Sequence, residues 1–176
     1  MSKKRIVVAA TGASGLPILI TCLNIIKGNP EFESHLILSD SAVVTLKQET
    51  KISVEALVKM ADVVYSNDSI GECPASGSFK TEGMLVVPCS MKTLSGVHSG
   101  YADNLILRSA DVTIKEQRTL VLAVRETPLS AIHLLPSIRT STLILSGFRE
   151  MSSLMRTRTF LKAAHYSDIY KRIKQD

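Results

Sequence analysis

Thr11-Gly12-Ala13-Ser14-Gly15 is a turn of small residues between an apolar run at residues 4–10 and a segment of helical periodicity at residues 17–26. Backbone N–H groups and the Ser14 hydroxyl at the start of a helix form an arrangement that suits a phosphate. The turn lacks the GxGxxG spacing of a dinucleotide fold and the lysine of a P-loop, so both ligand classes are disfavoured. A tight turn without a ligand stays open, as does a ribose-binding role for Asp40.

A second hydroxyl-rich segment, Ser90-Met91-Lys92-Thr93, follows Pro88-Cys89. It places two hydroxyl groups at a predicted helix start, where they would either bind a phosphate or simply cap the helix. Cys89 falls where a buried sheet should be dry, so the sequence favours a packed thiol over a nucleophile at this position.

Charged residues mark three further places. Arg125-Glu126 follows the fourth apolar run, and a cation and a carboxylate at a sheet edge cost desolvation energy unless a ligand uses them; a surface ion pair is the alternative. Arg108 and Lys115 lie seven residues apart on one predicted helix, hence on one face, where they would bind an anion or be solvated. Glu49 ends a predicted helix, where its carboxylate opposes the helix dipole, and this misfit indicates a functional reason.

The elements that must position these residues are apolar runs that alternate with helices. The runs are apolar throughout, which is typical of strands buried on both faces, and the alternation predicts a single α/β domain with a parallel sheet covered by helices on both faces. Such sheets bind ligands at the carboxyl ends of their strands, so we expect the motifs that follow strands to converge on one edge. The predicted strands are residues 4–10, 35–38, 84–88, 120–124 and 142–145, with Pro88 ending the third.

The composition limits the classes of protein that the chain can be. Its 176 residues are 45% hydrophobic and 21% charged, which excludes disordered and fibrous classes. The net charge of +5 suggests a nucleic-acid partner, but residues 1–148 hold 14 basic and 13 acidic side chains, whereas residues 149–176 hold 7 and 3. We therefore predict a near-neutral domain, residues 1–148, and a basic helical tail, residues 149–176. A non-enzymatic protein whose tail binds RNA, DNA or a partner is the alternative.

No targeting, membrane or metal signal is evident in the sequence. No apolar run is long enough to span a bilayer, and the N-terminus leads straight into a strand, so we expect a cytoplasmic protein. The three cysteines lie far apart and the four histidines have no ligand spacing, so we expect neither a disulfide framework nor a metal site.

Seven motifs occur together in a fixed order. They are Thr11-Gly-Ala-Ser-Gly15, Ser76-Gly-Ser-Phe79, Gly83-Met-Leu-Val-Val-Pro-Cys-Ser-Met-Lys-Thr-Leu94, Asp103-Asn-Leu105, Arg108-Ser-Ala-Asp-Val112, Lys115-Glu116 and Leu120-Val-Leu-Ala-Val-Arg-Glu-Thr-Pro-Leu-Ser130. The ordered set closely resembles the bacterial flavin prenyltransferases, the UbiX-like partners of ubiquinone-pathway and phenolic-acid decarboxylases. The resemblance covers roughly residues 4–134.

The resemblance implies a flavodoxin-like domain that binds FMN and assembles into a homododecamer with sites at subunit interfaces. Members transfer a dimethylallyl group from dimethylallyl monophosphate to N5 and C6 of reduced FMN, without a metal. The prenylated FMN then serves a partner decarboxylase that acts on hydroxybenzoate or another phenolic acid.

The resemblance also implies roles for individual residues. Arg108 and Lys115 would bind the prenyl phosphate, for which cations are suited. Ser14, Glu49 and Glu126 would be the catalytic residues around the reacting N5, with Glu126 preferred for removing a proton. FMN would contact Gly12, Ala13, Ser14, Ser39, Ser90, Met91, Lys92, Thr93 and Arg125.

The chain departs from the family after His133-Leu134. There the family continues into a Pro-Ala-Phe-Tyr segment and a terminal helix, whose Tyr and Arg hold the prenyl phosphate. This chain reads Leu135-Pro-Ser-Ile-Arg139 and ends in the basic tail. An FMN-binding protein inactive in prenyl transfer is therefore one alternative. A flavin-dependent cysteine decarboxylase is another, although that family has a catalytic His and an Asn-bearing motif where this chain has Ser-Met-Lys-Thr.

Overall fold

The computed structural model describes residues 3–126, residue 130 and the backbone of residues 142–146. The described strands are β1 (Lys4–Ala10), β2 (Phe32–Leu38), β3 (Val63–Ser66), β4 (Gly83–Cys89), β5 (Thr119–Val124) and β6 (Thr142–Ser146). The described helices are α1 (Leu16–Lys27), α2 (Asp40–Glu49), α3 (Val54–Val58), α4 (Met91–Ser99) and α5 (Leu105–Lys115), with a 3₁₀ turn at Cys73–Ala75.

All the strands lie in one parallel sheet in the order β3-β2-β1-β4-β5-β6. Without the short edge strand β3, the remaining five have the flavodoxin-like order, so the predicted fold class is confirmed. The chain order reverses at β1, because β2 pairs on one side of it and β4 on the other. A sheet of this kind binds ligands in the crevice that this reversal opens at the carboxyl edge.

The sheet is buried on both faces, as the apolar runs predict. Val8 and Ala10 of β1 pack with α1 in one core, whereas Val7 and Ala9 face the core formed with α4 and α5. Every residue of β4 is buried. At roughly 25 cal/mol per Å² of apolar surface, this burial on two faces is the main force that holds the strand ends in register.

The structure differs from the predicted strands in two places. Strand β3 was not among the predicted strands: the polar segment at residues 66–77 was expected to be a loop, and β3 ends on its first residue, Ser66. Pro88 does not end β4, which continues to Cys89 through a register shift between Val86 and Cys89. The shift accommodates a proline, which has no N–H to donate to the ladder. The predicted helical tail and its boundary at residue 148 lie outside the described residues.

The described residues contain neither a candidate membrane-spanning helix nor a candidate metal site. In this part of the chain no helix combines the length and hydropathy needed to cross a membrane. The same residues contain no group of three or more His, Cys, Asp or Glu side chains that could hold a metal ion.

The hydrogen bonds between Ser34 of β2 and Asp62, one residue before β3, predict that the stability of the protein depends on pH. The Asp62 carboxylate accepts hydrogen bonds from the Ser34 N–H at 2.8 Å and the Ser34 hydroxyl at 2.9 Å. Burial opposes ionisation of Asp62, but the Ser34 hydrogen bonds and the charges of Lys3 and Lys27 outweigh it and lower the pKa of the carboxyl. Asp62→Asn should therefore destabilise the protein at neutral pH. The difference in the free energy of unfolding between the variant and the wild type should vanish as the pH falls from about 4, the usual pKa of an aspartate, through the lowered pKa of Asp62.

Urea unfolding from neutral pH to about pH 2 measures this effect. The matched control is Asp68→Asn, which alters an exposed aspartate in the loop after β3. A constant difference between Asp62→Asn and the wild type over the whole range would contradict the assignment.

Candidate functional site

The turn after β1 is held against the end of β4. The Thr11 hydroxyl donates to the Pro88 carbonyl at 3.1 Å and accepts from the Ser90 N–H at 2.8 Å. Thr11 is buried, so these bonds are protected from water. The two hydroxyl-rich segments that were expected to converge do lie together, at the point where the strand order reverses. Thr11 was not singled out as a site residue; its hydroxyl directly after a buried strand was the available signal.

Two glycines shape this turn. Gly15 has φ 126°, a left-handed conformation that side chains rarely adopt, and it immediately precedes α1. Gly12 is exposed, but a Cβ at this position would overlap the Cβ of Ser41 in the first turn of α2. The turn at residues 11–15 therefore requires glycine at both places, once for backbone conformation and once for close packing.

Among the described helices, α1, α2 and α4 each directly follow a parallel strand, so their N-termini open at the carboxyl edge. Ser39 caps α2 by accepting from the Ala42 N–H at 3.2 Å. Ser90 caps α4 by accepting from the Thr93 N–H at 3.4 Å, and its oxygen lies 3.1 Å from the Thr93 hydroxyl oxygen. The capping alternative thus describes what these hydroxyls do within the chain. The three aligned helix dipoles still make this edge favourable for an anion.

Glu49 provides an anion at this edge from within the protein. Its Oε2 accepts from the Gly15 N–H and from the Leu16 N–H, each at 2.9 Å, and its Oε1 lies 3.2 Å from the Gly15 nitrogen. The carboxylate that ends α2 therefore caps α1, and the misfit with its own helix dipole is offset by the dipole of α1. The expectation that the backbone N–H groups of the turn are available to a phosphate is therefore wrong for Gly15, and the N–H of Leu16, which follows the turn, is occupied as well.

The remaining predicted site residues differ in their contacts and in how far they are buried. The Arg125 N–H donates to the Cys89 carbonyl at 3.1 Å, which joins the segment after β5 to the end of β4. Burial raises the pKa of the Cys89 thiol to about 12, which supports a packed thiol and argues against a nucleophile. Ser14 and Lys92 are exposed, Ala13, Met91, Arg125 and Glu126 are half-buried, and Thr93 is buried.

The two cations predicted to bind an anion lie at different ends of α5. Arg108 is half-buried in the first turns, and its Nη1 donates to Asp111 Oδ2 at 2.7 Å. Lys115 is the last residue of α5, with its Nζ 3.4 Å from Glu116 Oε1. Seven helical residues correspond to roughly 10 Å along the axis, so the Cα atoms of the two residues are well separated within one chain.

The N-terminus of α5 lies at the same edge of the sheet as the turn. The Leu105 N–H donates to the carbonyl of Asn67, one residue after β3 ends, at 2.7 Å. Since α5 precedes the parallel strand β5, it runs from the carboxyl edge towards the amino edge. Arg108 therefore lies in the half of α5 that is nearer the carboxyl edge, and Lys115 lies at the end that is farther from it.

Comparison with known proteins identifies a family. The sequence profile described as Flavoprotein matches residues 1–145. The chain is 47% identical over 130 residues to a probable UbiX-like flavin prenyltransferase of Sedimentibacter hydroxybenzoicus, which covers 74% of this chain and 69% of that protein.

Two solved structures are similar over most of the chain. One is AnUbiX (PadA1) in complex with FMN and dimethylallyl pyrophosphate, with a TM-score of 0.82, 38% identity and 90% of each chain covered. The other is described as a dodecameric FMN-dependent UbiX-like decarboxylase from Escherichia coli O157:H7, with a TM-score of 0.79, 40% identity, and coverage of 83% of this chain and 82% of that one.

Proposed function

Because this chain belongs to the flavoprotein family and, within it, to the UbiX-like flavin prenyltransferases, we propose that it transfers a dimethylallyl group from dimethylallyl monophosphate to reduced FMN. One observation carries the proposal. The turn at residues 11–15 is hydrogen-bonded both to Glu49 and to the segment at residues 90–93, and these bonds lie at the point where the strand order reverses. A junction of this kind at a parallel-sheet edge is where a mononucleotide is bound in such folds.

The residues at this edge fit FMN. The N-termini of α2 and α4, with the hydroxyls of Ser39, Ser90 and Thr93, offer donors and favourable dipoles to its phosphate. Glu49 already serves the N-terminus of α1, so the phosphate is expected at the other two helices, where no carboxylate would repel it. The small side chain of Ala13 leaves room beside the turn for the flavin ring. Gly12, Ser14, Met91, Lys92 and Arg125 are also expected to contact FMN.

The proposed reaction transfers five carbons and releases phosphate. The carbon–oxygen bond of the prenyl phosphate breaks and the phosphate leaves with the electron pair, while N5 bonds to that carbon and loses its proton. Ring closure joins C6 to the tertiary carbon of the prenyl group; C6 loses a proton and the adjacent alkene carbon gains one. When bound, reduced FMN supplies the electron-rich nitrogen and carbon for these two bonds.

Residues of this chain would stabilise the departing phosphate and accept the proton that the flavin loses. Arg108 binds the departing phosphate, and Lys115 of a neighbouring copy completes the cationic site, because within one chain it lies at the far end of α5. Glu126 removes a proton, since the Glu49 carboxylate is committed to the Gly15 and Leu16 N–H groups. Ser14 adds a hydroxyl donor.

The proposed reaction also implies partners. A homo-oligomer, with the dodecamer as the expected size, brings Lys115 to the neighbouring site. The product is expected to serve a decarboxylase of aromatic acids, in the cytoplasm.

Purified protein should be yellow when loaded with FMN, and under anaerobic conditions it should release inorganic phosphate from dimethylallyl monophosphate only when FMN is reduced. A yellow, folded protein that releases no phosphate would leave flavin binding as its activity, the alternative raised by the altered C-terminal sequence. Decarboxylation of a cysteinyl peptide by the same preparation would instead support the cysteine-decarboxylase alternative.

Gly12→Ala is expected to weaken FMN binding about tenfold or more, because the added Cβ would displace Ser41 and with it the start of α2. Flavin fluorescence titration measures the dissociation constant. Gly71→Ala is the matched control, since no atom lies within 4 Å of a Cβ built at that glycine. An unchanged dissociation constant for Gly12→Ala would contradict the placement of FMN beside this turn.

A further inference from the structure

The first N–H groups of α5 bond to two asparagines. The Leu105 N–H donates to the Asn67 backbone carbonyl at 2.7 Å, and the Ile106 N–H donates to the Asn67 side-chain Oδ1 at 3.1 Å. The Leu107 N–H donates to Asn104 Oδ1 at 3.0 Å. The fourth, that of Arg108, donates to the Asn104 carbonyl at 2.9 Å. All four N–H groups at this helix start are therefore satisfied by protein atoms, and two of them depend on Asn67.

Asn67 is the connection between this helix start and the sheet. It comes directly after the last residue of β3, at the carboxyl edge, and lies 38 residues before the first residue of α5. Asn104 belongs to the same local segment as α5, so its bonds cannot fix the helix relative to the strands. The bonds of Asn67 can, because they join α5 to the end of β3.

The burial of the first turn makes the Asn67 side chain important. Leu105 is 0% and Ile106 is 2% exposed, so water cannot easily replace a lost acceptor. An unpaired buried N–H is costly, and the first turn would shift or fray to relieve it. Arg108 lies in the turn that would move. Its ion pair with Asp111 is internal to α5 and does not hold the helix against the sheet.

We propose that Asn67 is a positioning residue for Arg108: by capping α5 from the end of β3, it sets where the guanidinium meets the prenyl phosphate. This inference rests on the proposed function, in which Arg108 binds that phosphate. Asn67 itself does not touch the substrate. Its side-chain oxygen acts through the Ile106 N–H on the position of the helix, and a small displacement of a positioned group is enough to weaken substrate binding.

Asn67→Ala in the FMN-loaded protein should raise the KM for dimethylallyl monophosphate roughly tenfold while the FMN dissociation constant stays within about twofold. Asn67→Asp keeps the acceptor and adds a charge that suits a helix N-terminus, so it should restore the KM. Ser53→Ala is the control, because it removes a capping side-chain acceptor from α3, a helix that carries no candidate site residue. If Asn67→Ala does not fold, Asn67→Gln, which displaces the same acceptor, takes its place.

The decisive arm combines Asn67→Ala with Arg108→Ala. If Asn67 acts through Arg108, the double variant should be no worse than Arg108→Ala alone. Additive effects, or an unchanged KM in Asn67→Ala, would overturn the inference. If the wild type binds dimethylallyl monophosphate without turnover, the proposed function fails. The role of Asn67 is then tested by the dissociation constant of dimethylallyl monophosphate, measured by calorimetry in place of the KM. If the wild type does not bind it at all, both proposals fail.

Discussion

Arg108→Ala should lower kcat/KM for dimethylallyl monophosphate by about 100-fold or more while FMN binding is retained. Losing one preorganised donor to a developing anion costs this much in comparable sites, and an arginine can donate two hydrogen bonds to a phosphate at once. Arg108 is half-buried at the carboxyl edge, where its charge is less screened than that of an exposed cation. Steady-state phosphate release with reduced FMN measures the effect.

Two comparisons separate this effect from a general loss of positive charge. Arg108→Lys keeps the charge but loses the planar donor pair, so it should fall between the wild type and Arg108→Ala. Lys80→Ala removes an exposed cation before β4 and should leave kcat/KM unchanged. Wild-type kinetics in Arg108→Ala would exclude this residue from the prenyl-phosphate site.

Glu49→Gln should destabilise the protein by about 1–3 kcal/mol and reduce prenyl transfer together with it. The substitution preserves shape but replaces one carboxylate oxygen with an amide that cannot accept from an N–H. The Gly15 and Leu16 N–H groups would then lose a charged acceptor, and the N-terminus of α1 would lose the negative charge that offsets its dipole. Urea unfolding monitored by circular dichroism measures the change in the free energy of unfolding.

The matched control for Glu49→Gln is Glu31→Gln, which neutralises an exposed carboxylate before β2. Its free energy of unfolding should stay within about 0.5 kcal/mol of the wild type. Equal stability of the two variants would contradict the capping role of Glu49. A stable Glu49→Gln protein that has lost only prenyl transfer would assign the carboxylate to chemistry and not to the turn.

The sheet and the convergence of its loops could be predicted because both follow from local patterns. Continuous apolar runs mark strands buried on two faces, and hydroxyl and glycine residues directly after those runs must meet at one edge. Residues 11–15 and 90–93 meet there as expected. Strand β3 was missed because its apolar part, residues 63–65, is only three residues long, and the strand is held mainly by pairing with β2.

Contacts between residues distant in sequence were beyond prediction from local pattern. The position of Glu49 at the end of α2 indicated a misfit with the helix dipole, but not that its partner is α1, more than 30 residues earlier. Asn67 has no local signal at all, because its role depends on α5 lying against the end of β3. The separation of Arg108 from Lys115 required knowing that α5 runs away from the ligand edge.

Mass spectrometry of the flavin product is the most direct measurement of the proposed activity. Anaerobic incubation of the purified chain with reduced FMN and dimethylallyl monophosphate should yield FMN enlarged by one five-carbon unit, with one phosphate released per flavin. Product should be absent without the protein and strongly reduced with Arg108→Ala. Unmodified FMN recovered from the folded, flavin-loaded wild type would contradict the prenyl-transfer function.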